Sequence, residues 1–143
     1  MKKKPRQQGL TETDLQFWHT ELNNLFFEGL LSPALVKKIP VKGMQDTGFY
    51  IAGNTSPIML QYYMDMEKQE PFTALEMLHN AMVDQFCVEH NMIGRFPDGS
   101  VTSNYKDIAR RTGKDKNGLY TAEAKKRIIK LLDEYMIIRD CQF

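Results

Sequence analysis

The residues best suited to chemistry lie in one predicted helix, between residues 71 and 90. Glu76 and His79 have the spacing E-x-x-H, and Asn80 and Asp84 follow one helical turn apart. An E-x-x-H pair in a two-metal helical bundle needs a second copy and further carboxylates, and the sequence contains no second copy. We therefore expect a hydrogen-bonded pair on a helix surface. Asn80 and Asp84 offer two oxygen donors, whereas Ca²⁺ takes about six to eight.

The other reactive side chains are isolated from one another along the chain. Cys87 and Cys141 form neither a disulfide framework nor a C-x-x-C motif, which favours a reducing, cytoplasmic setting. Cys87 follows the inward-facing Phe86 and is expected to fill space in the core. His19 is expected on the surface of the first helix. Because no nucleophile–base pair and no glycine-rich phosphate loop can be assigned, the sequence predicts a protein that is not an enzyme and has no cofactor.

Charge is distributed unevenly, although the formal net charge is only +1. Residues 61–92 carry six acidic side chains against Lys68 alone, and the acidic residues expected to bind a partner are Asp65, Glu67 and Glu70. Residues 106–130 carry nine basic side chains against three acidic ones. The basic residues expected to contact phosphates are Arg110, Arg111, Lys114, Lys116, Lys125, Lys126, Arg127 and Lys130. The alternative interpretation of this segment is an ordinary solvated helix face.

Periodicity and turn residues predict an α+β domain in which about four helices pack on a small, antiparallel, three-stranded sheet. Thr13–Gln16 has the form of a capping box at the start of the first helix, and Pro71 occupies a typical first position of the second. The last two helices begin near Asn104 and at Thr121, with Tyr105, Ile108 and Ala109 facing inward. The strands are predicted in residues 34–41, 48–53 and 56–63.

Length and composition indicate a single domain. The 143 residues include 42% hydrophobic side chains, which suits one modest core. Residues 1–10 are expected to form a flexible basic arm and residues 11–143 the domain. No apolar run approaches the roughly 20 residues of a membrane span, so no membrane partner is predicted.

Three stretches of the chain resemble the SprT-like family of zinc-peptidase domains. The stretch 25–33, with Phe26, Gly29 and Pro33, is similar to the family pattern F-F-x-G-x-L-x-x-P. The stretch 82–92 is similar to the family sequence around the metal site, and the stretch 104–109 is similar to the sequence that follows the third metal ligand. The resemblance covers about residues 12–113 and implies a helix, short strands and a long helix in that order.

The same resemblance implies that the metal site is degenerate. The family motif H-E-x-x-H supplies two imidazole ligands and a glutamate that polarises the zinc-bound water. In this chain Asn80, Ala81 and Asp84 occupy those three positions, and the third histidine is replaced within 101–103. The chain has three histidines in all, and none follows residue 90. We therefore expect a pseudo-peptidase without metal.

Two functions remain open from the sequence. The first is a catalytically inactive SprT-like protein that binds a protein or a protein–nucleic-acid complex, for instance a phage or mobile-element inhibitor of a host nuclease or CRISPR-type system. The family's link to DNA-associated proteolysis implies that class of partner. The second is direct DNA or RNA binding through a helix-turn-helix-like segment, residues 105–130, with Thr121–Lys130 as the recognition helix.

Overall fold

The computed structural model describes residues 9–39, 48–52, 57–91, 93–112 and 120–141. Within these ranges the predicted α+β class is confirmed, with four α-helices, a three-stranded sheet and a two-stranded hairpin. The elements are listed in chain order: α1 (Glu12–Phe26), β1 (Ala34–Ile39), β2 (Phe49–Ala52), β3 (Ile58–Tyr63), α2 (Pro71–Glu89), β4 (Gly94–Arg95), β5 (Val101–Thr102), α3 (Tyr105–Arg111) and α4 (Ala122–Asp140).

The first helix begins two residues earlier than the predicted capping box. Thr11 is the N-cap, and its hydroxyl accepts from the backbone N–H of Asp14 at 3.3 Å. The Asp14 carboxylate in turn accepts from the backbone N–H of Thr11 at 2.9 Å. Aspartate therefore completes this capping box in the place that Glu or Gln usually fills. The predicted box at Thr13–Gln16 is wrong because Thr11 and Asp14 cap the helix two residues earlier.

The three-stranded sheet has the order β1-β3-β2 and is mixed. β3 pairs antiparallel with β2, as predicted, but parallel with β1, and Val36 lies opposite Leu60 in that parallel pair. The predicted all-antiparallel pairing is therefore wrong for β1. A parallel pair requires a long connection, and here residues 40–57, which include β2, separate the two strands. The Leu60 and Tyr62 side chains of the central strand are buried against the helices.

The long helix α2 is the centre of the core. Pro71 begins it, where a missing N–H costs nothing. Leu75, Leu78, Met82 and Phe86 recur at helical spacing, and none is exposed. Each large apolar side chain removed from water contributes about 1.5–3 kcal/mol. α1, the sheet, α3 and α4 all pack against this helix, so α2 fixes where their surface side chains point.

Two further features differ from the sequence predictions. Leu10 lies in the predicted arm 1–10, but its side chain is fully buried, so the packed domain includes residues 9 and 10. Gly9 lies against the Glu67 backbone so closely that an added Cβ would stand 1.9 Å from the Glu67 carbonyl oxygen. The turn residues of 94–100 predict a loop, whereas the structure has the hairpin β4–β5 over residues 94–102. The remainder of the predicted arm, residues 1–8, lies outside the described residues.

None of the helices in the described ranges has both the length and the apolarity of a membrane span.

Candidate functional site

The positions aligned with the zinc-peptidase motif lie on α2. Asn80 and Asp84 are exposed, and Ala81 is buried. The hydroxyl of Tyr105, at the start of α3, donates to the Asp84 carboxylate at 3.0 Å. Burial and then the Asp84 charge raise the pKa of Tyr105 above its ordinary value. Tyr105 is 43% exposed, and the prediction that it faces inward is wrong because its hydroxyl reaches this surface carboxylate.

The structure also shows what the histidines contribute. His79 is fully buried, so its predicted position on the helix surface is wrong. Its Nε2 lies 2.6 Å from the carbonyl oxygen of Thr112. A carbonyl can only accept, so Nε2 carries the proton. The rings of Phe26 and Tyr120 pack against the imidazole, with centroids 5.0 and 4.9 Å away. His79 therefore anchors the end of α3 to the core.

His19 is likewise buried, and its predicted surface position is wrong. Its Nε2 lies 2.8 Å from Gln85 Oε1. The Gln85 amide donates to the Ser32 carbonyl and to Glu89, each at 3.0 Å. Burial lowers the pKa of His19, and the Gln85 hydrogen bond and the Glu89 charge only partly offset this effect. The network joins α1, α2 and the turn before β1. No group of three or more His, Cys, Asp or Glu side chains in the described ranges is placed to hold a metal ion.

Some of the acidic side chains predicted to bind a partner instead make contacts within the fold. Glu67 lies in a short 3-10 helix, Met64–Lys68, and accepts from the Tyr62 hydroxyl at 2.7 Å. The Lys38 ammonium lies 3.2 Å from the same carboxylate. Asp65 is half-buried, and Glu70 is exposed at the N-cap of α2. Of the three acidic candidates, only Glu70 is fully available at the surface.

Three of the predicted basic residues converge on one groove. Its volume is about 360 Å³, and it lies between the end of α1, the end of α3 and the start of α4. We call it the arginine groove, and its lining residues are Leu25, Phe26, Glu28, Arg110, Arg111, Thr121, Glu123, Ala124 and Arg127. The sequence predicted the three arginines as contact residues, but it did not show that they meet. Glu28 and Glu123 add two carboxylates that reduce the positive charge of the groove.

Each arginine of the groove is oriented by a neighbour. The Arg127 guanidinium lies over the Phe26 ring, 5.4 Å from its centroid. Arg110 pairs with Asp107 one turn earlier on α3. Arg111 lies 4.1 Å from the Phe96 ring centroid and 3.0 Å from the Asp98 carboxylate. A guanidinium has five N–H donors in a planar fork, so one carboxylate partner leaves donors for an oxyanion. Restricting each side chain beforehand lowers the entropy cost of binding.

The other basic candidates lie elsewhere. Lys125 is exposed on α4, and its ammonium is 5.7 Å from the centroid of the Phe72 ring. Lys126 and Lys130 are exposed and do not line the groove. Lys114 and Lys116 lie outside the described residues. The three arginines of the groove therefore come from two helices, α3 and α4, whereas the predicted basic surface was continuous along the chain.

The arrangement of α3 and α4 differs from a helix-turn-helix. That motif joins its two helices by a turn of about three or four residues, whereas residues 112–121 separate Arg111 from Ala122. Within the described ranges, both helices pack chiefly against α2 and make fewer contacts with each other. The space between them is the arginine groove.

Thr121 and Phe26 are groove residues that the sequence did not single out as functional. The Thr121 hydroxyl accepts from the backbone N–H of Ala124 at 3.2 Å, as the predicted N-cap requires. Phe26 is the last residue of α1, and no sequence signal separates its role under Arg127 from ordinary core packing.

Comparison of the chain with protein family models, with curated proteins and with solved structures finds no match.

Proposed function

We propose that the chain is a non-enzymatic nucleic-acid-binding protein that holds a phosphate backbone in the arginine groove. The observation that carries this proposal is the convergence of Arg110, Arg111 and Arg127, from two helices, on one groove of about 360 Å³. Bidentate guanidinium–phosphate pairs are among the stronger charge-assisted hydrogen bonds. Free thiols at Cys87 and Cys141 agree with a reducing, cytoplasmic setting.

Backbone contacts supply affinity without reading sequence. We therefore expect binding that depends on salt and little on base composition, because each neutralised phosphate releases condensed counterions. Glu28 and Glu123 limit the affinity, because their carboxylates lie at the same groove as the arginines. The predicted complex is consequently one of modest affinity.

Fluorescence anisotropy with a labelled 20-nucleotide DNA, single-stranded and then duplex, tests the proposal at low salt. Replacing Arg110, Arg111 and Arg127 together by Ala is expected to weaken binding at least tenfold. The matched control is Lys37→Ala, which removes an exposed positive charge on β1 and is expected to leave affinity within twofold. Absence of wild-type binding, or equal losses in the triple variant and the control, would refute the groove as the site.

A second candidate function is the SprT-like pseudo-peptidase that binds a protein partner, such as a component of a host nuclease or CRISPR-type system. It is favoured by the surface of α2, where Asn80 and Asp84 face solvent in the positions of the family's metal ligands. The hydrogen bond from the Tyr105 hydroxyl to Asp84 joins α3 to α2 at that surface. Such a scaffold would act by contact alone, because fold and activity are separable.

The two candidates predict different sensitive residues. Co-sedimentation with purified nuclease effectors is expected to fail for Asp84→Arg or Glu70→Arg if the pseudo-peptidase surface or the acidic surface binds them. The same variants are expected to keep DNA binding, because neither residue lines the arginine groove. Loss of effector binding in the triple arginine variant alone would instead assign both activities to the groove.

A further inference from the structure

A second pocket adjoins the arginine groove, because Arg110 lines both of them. Its volume is about 380 Å³. We call it the Lys106 pocket, and its lining residues are Thr102, Asn104, Lys106, Asp107 and Arg110. Thr102 belongs to β5, Asn104 is the N-cap of α3, and the other three residues lie on α3 itself. The pocket therefore continues the arginine groove from the end of α3 along this helix toward β5.

The side chains of the Lys106 pocket offer mainly hydrogen-bond donors. The Thr102 hydroxyl oxygen accepts from the backbone N–H of Asn104 at 3.2 Å, and its own proton remains to donate. The Asn104 Oδ1 atom accepts from the backbone N–H of Asp107 at 3.1 Å, which leaves the amide NH₂ group as the donor end of that side chain. Lys106 is exposed and makes no ion pair within the described ranges. These donors suit a ligand that carries several acceptor oxygens.

The single carboxylate that lines this pocket already has a partner. Asp107 pairs with Arg110 one turn later on α3, so it orients the guanidinium and offers little to a cationic ligand. One carboxylate is also far fewer than the roughly six oxygen ligands that a hard cation takes. Lys, Arg, Thr and Asn side chains are typical partners of nucleic-acid phosphates. The donor set of the pocket is therefore that of a phosphate site.

We infer that the Lys106 pocket binds a further phosphate of the strand whose backbone lies in the arginine groove, an inference that rests on the function proposed above. Lys106 and Arg110 are four residues apart on α3, so their Cβ atoms lie about 5–6 Å apart on one face of the helix. Arg110 can donate to phosphates in both cavities, because its guanidinium has five N–H groups and one carboxylate partner. The strand then runs along α3, from the start of α4 toward β5.

A strand suits the two cavities better than a free phosphate ion does. Once one phosphate is held in the arginine groove, the neighbouring phosphates of the same strand are tethered near the Lys106 pocket at a high effective concentration. A free ion occupies one cavity only and has no such gain. Because a strand has many internal phosphates and few terminal ones, we expect an internal phosphate to occupy the pocket.

Fluorescence anisotropy with a single-stranded DNA labelled at its 3′ end tests the inference. Lys106→Ala is expected to weaken binding about fivefold, the effect of one unit charge at about 4 Å in water. It is also expected to reduce the slope of log K against log salt by about 0.7. The matched control Lys37→Ala, on β1, is expected to leave the affinity within twofold and the slope unchanged. A 5′-phosphate on the DNA is expected to change the affinity by less than twofold.

Arg127→Ala separates this inference from the proposed function, because Arg127 lines the arginine groove and not the Lys106 pocket. Binding that Arg127→Ala weakens but Lys106→Ala leaves unchanged would overturn the inference and leave the proposed function intact. Binding that Lys106→Ala alone weakens, or no binding by the wild type, would overturn both. A gain from the 5′-phosphate that Lys106→Ala abolishes would assign the pocket to the end of the strand, against the inference. Circular dichroism establishes that each variant is folded.

Discussion

The two ends of α4 both carry arginine side chains, but their surroundings differ. At the C-terminal end the Arg139 Nη1 atom lies 2.6 Å from the Asp14 carboxylate and donates to the Gly9 carbonyl at 3.3 Å. The Tyr135 hydroxyl donates to the same carboxylate. Near the N-terminal end Arg127 makes no ion pair within the described ranges, and Arg110 across the groove is 66% exposed. The Arg139 side chain is 21% exposed.

This contrast separates a structural arginine from arginines available to a ligand. Asp14 is nearly buried and links the start of α1 to the end of α4. Its partners occupy the acceptor sites of the carboxylate. The contact therefore stabilises the fold and leaves few free N–H donors on Arg139 for a ligand. Of the groove arginines, Arg110 and Arg127 are exposed, whereas Arg111 is half-buried and pairs with Asp98. Changes at the first end are expected to alter stability, and changes at the second end to alter binding.

The largest expected effect comes from Asp14→Ala. The substitution leaves Arg139 and the Tyr135 hydroxyl without their carboxylate. Removing one partner of a buried ion pair lowers the free energy of unfolding by about 3–5 kcal/mol. Because Arg139 remains partly exposed, we expect a loss near the lower limit, about 3 kcal/mol. Urea denaturation measures it. The control is Asp133→Ala, an exposed carboxylate on α4, which is expected to change stability by less than about 0.5 kcal/mol.

A folded Asp14→Ala protein is expected to keep the wild-type affinity for DNA. Weaker binding by the folded variant would remove the distinction between the two ends of α4.

The pH dependence of stability sharpens the same comparison. Burial raises the pKa of Asp14, but the hydrogen bonds from Thr11, Tyr135 and Arg139 outweigh it and lower the pKa below 3.8. The native state therefore favours the carboxylate. The stabilisation is present above the unfolded pKa and is lost as the pH falls through the lowered native value. We expect wild type to lose stability below about pH 4 more steeply than Asp14→Asn, as measured by urea denaturation at several pH values. Equal slopes would show that the Asp14 contact does not stabilise the fold.

The smallest expected effect is a gain of binding at the groove. Glu28 lies just after α1 with φ of 53°, a left-handed conformation that Asn tolerates well. Glu28→Asn therefore removes a negative charge from the groove without straining the turn. A single charge at about 4 Å is worth about 1 kcal/mol in water, so we expect DNA affinity to rise by about two- to fivefold. Unchanged or weaker binding in anisotropy would place the DNA elsewhere.

The sequence predicted the helices better than it predicted their partners. The first residues of α2 and α4 follow from local signals, namely Pro71 at the first position and Thr121 as N-cap. The burial of His19 could not be predicted, because its partner Gln85 lies 66 positions away. The parallel pairing of β1 with β3 was missed for the same reason, since short strands do not encode the direction of a distant neighbour.

The candidate site, like the strand pairing, could be predicted from the sequence only in part. The sequence marked Arg110, Arg111 and Arg127 as basic, which is a local property. Their convergence depends on how α3 and α4 pack on α2, and the Phe26 ring beneath Arg127 comes from α1. A groove made by three helices is a tertiary feature, and charge counts along the chain do not reveal it.

The most direct test of the central claim is the salt dependence of DNA binding. For single-stranded DNA the slope of log K against log salt is about −0.7 for each neutralised phosphate. If the three groove arginines each contact one phosphate, replacing them all by Ala is expected to reduce the slope by about 2, whereas Lys37→Ala leaves it unchanged. An unchanged slope in the triple variant would contradict the proposal that the arginine groove holds the phosphate backbone.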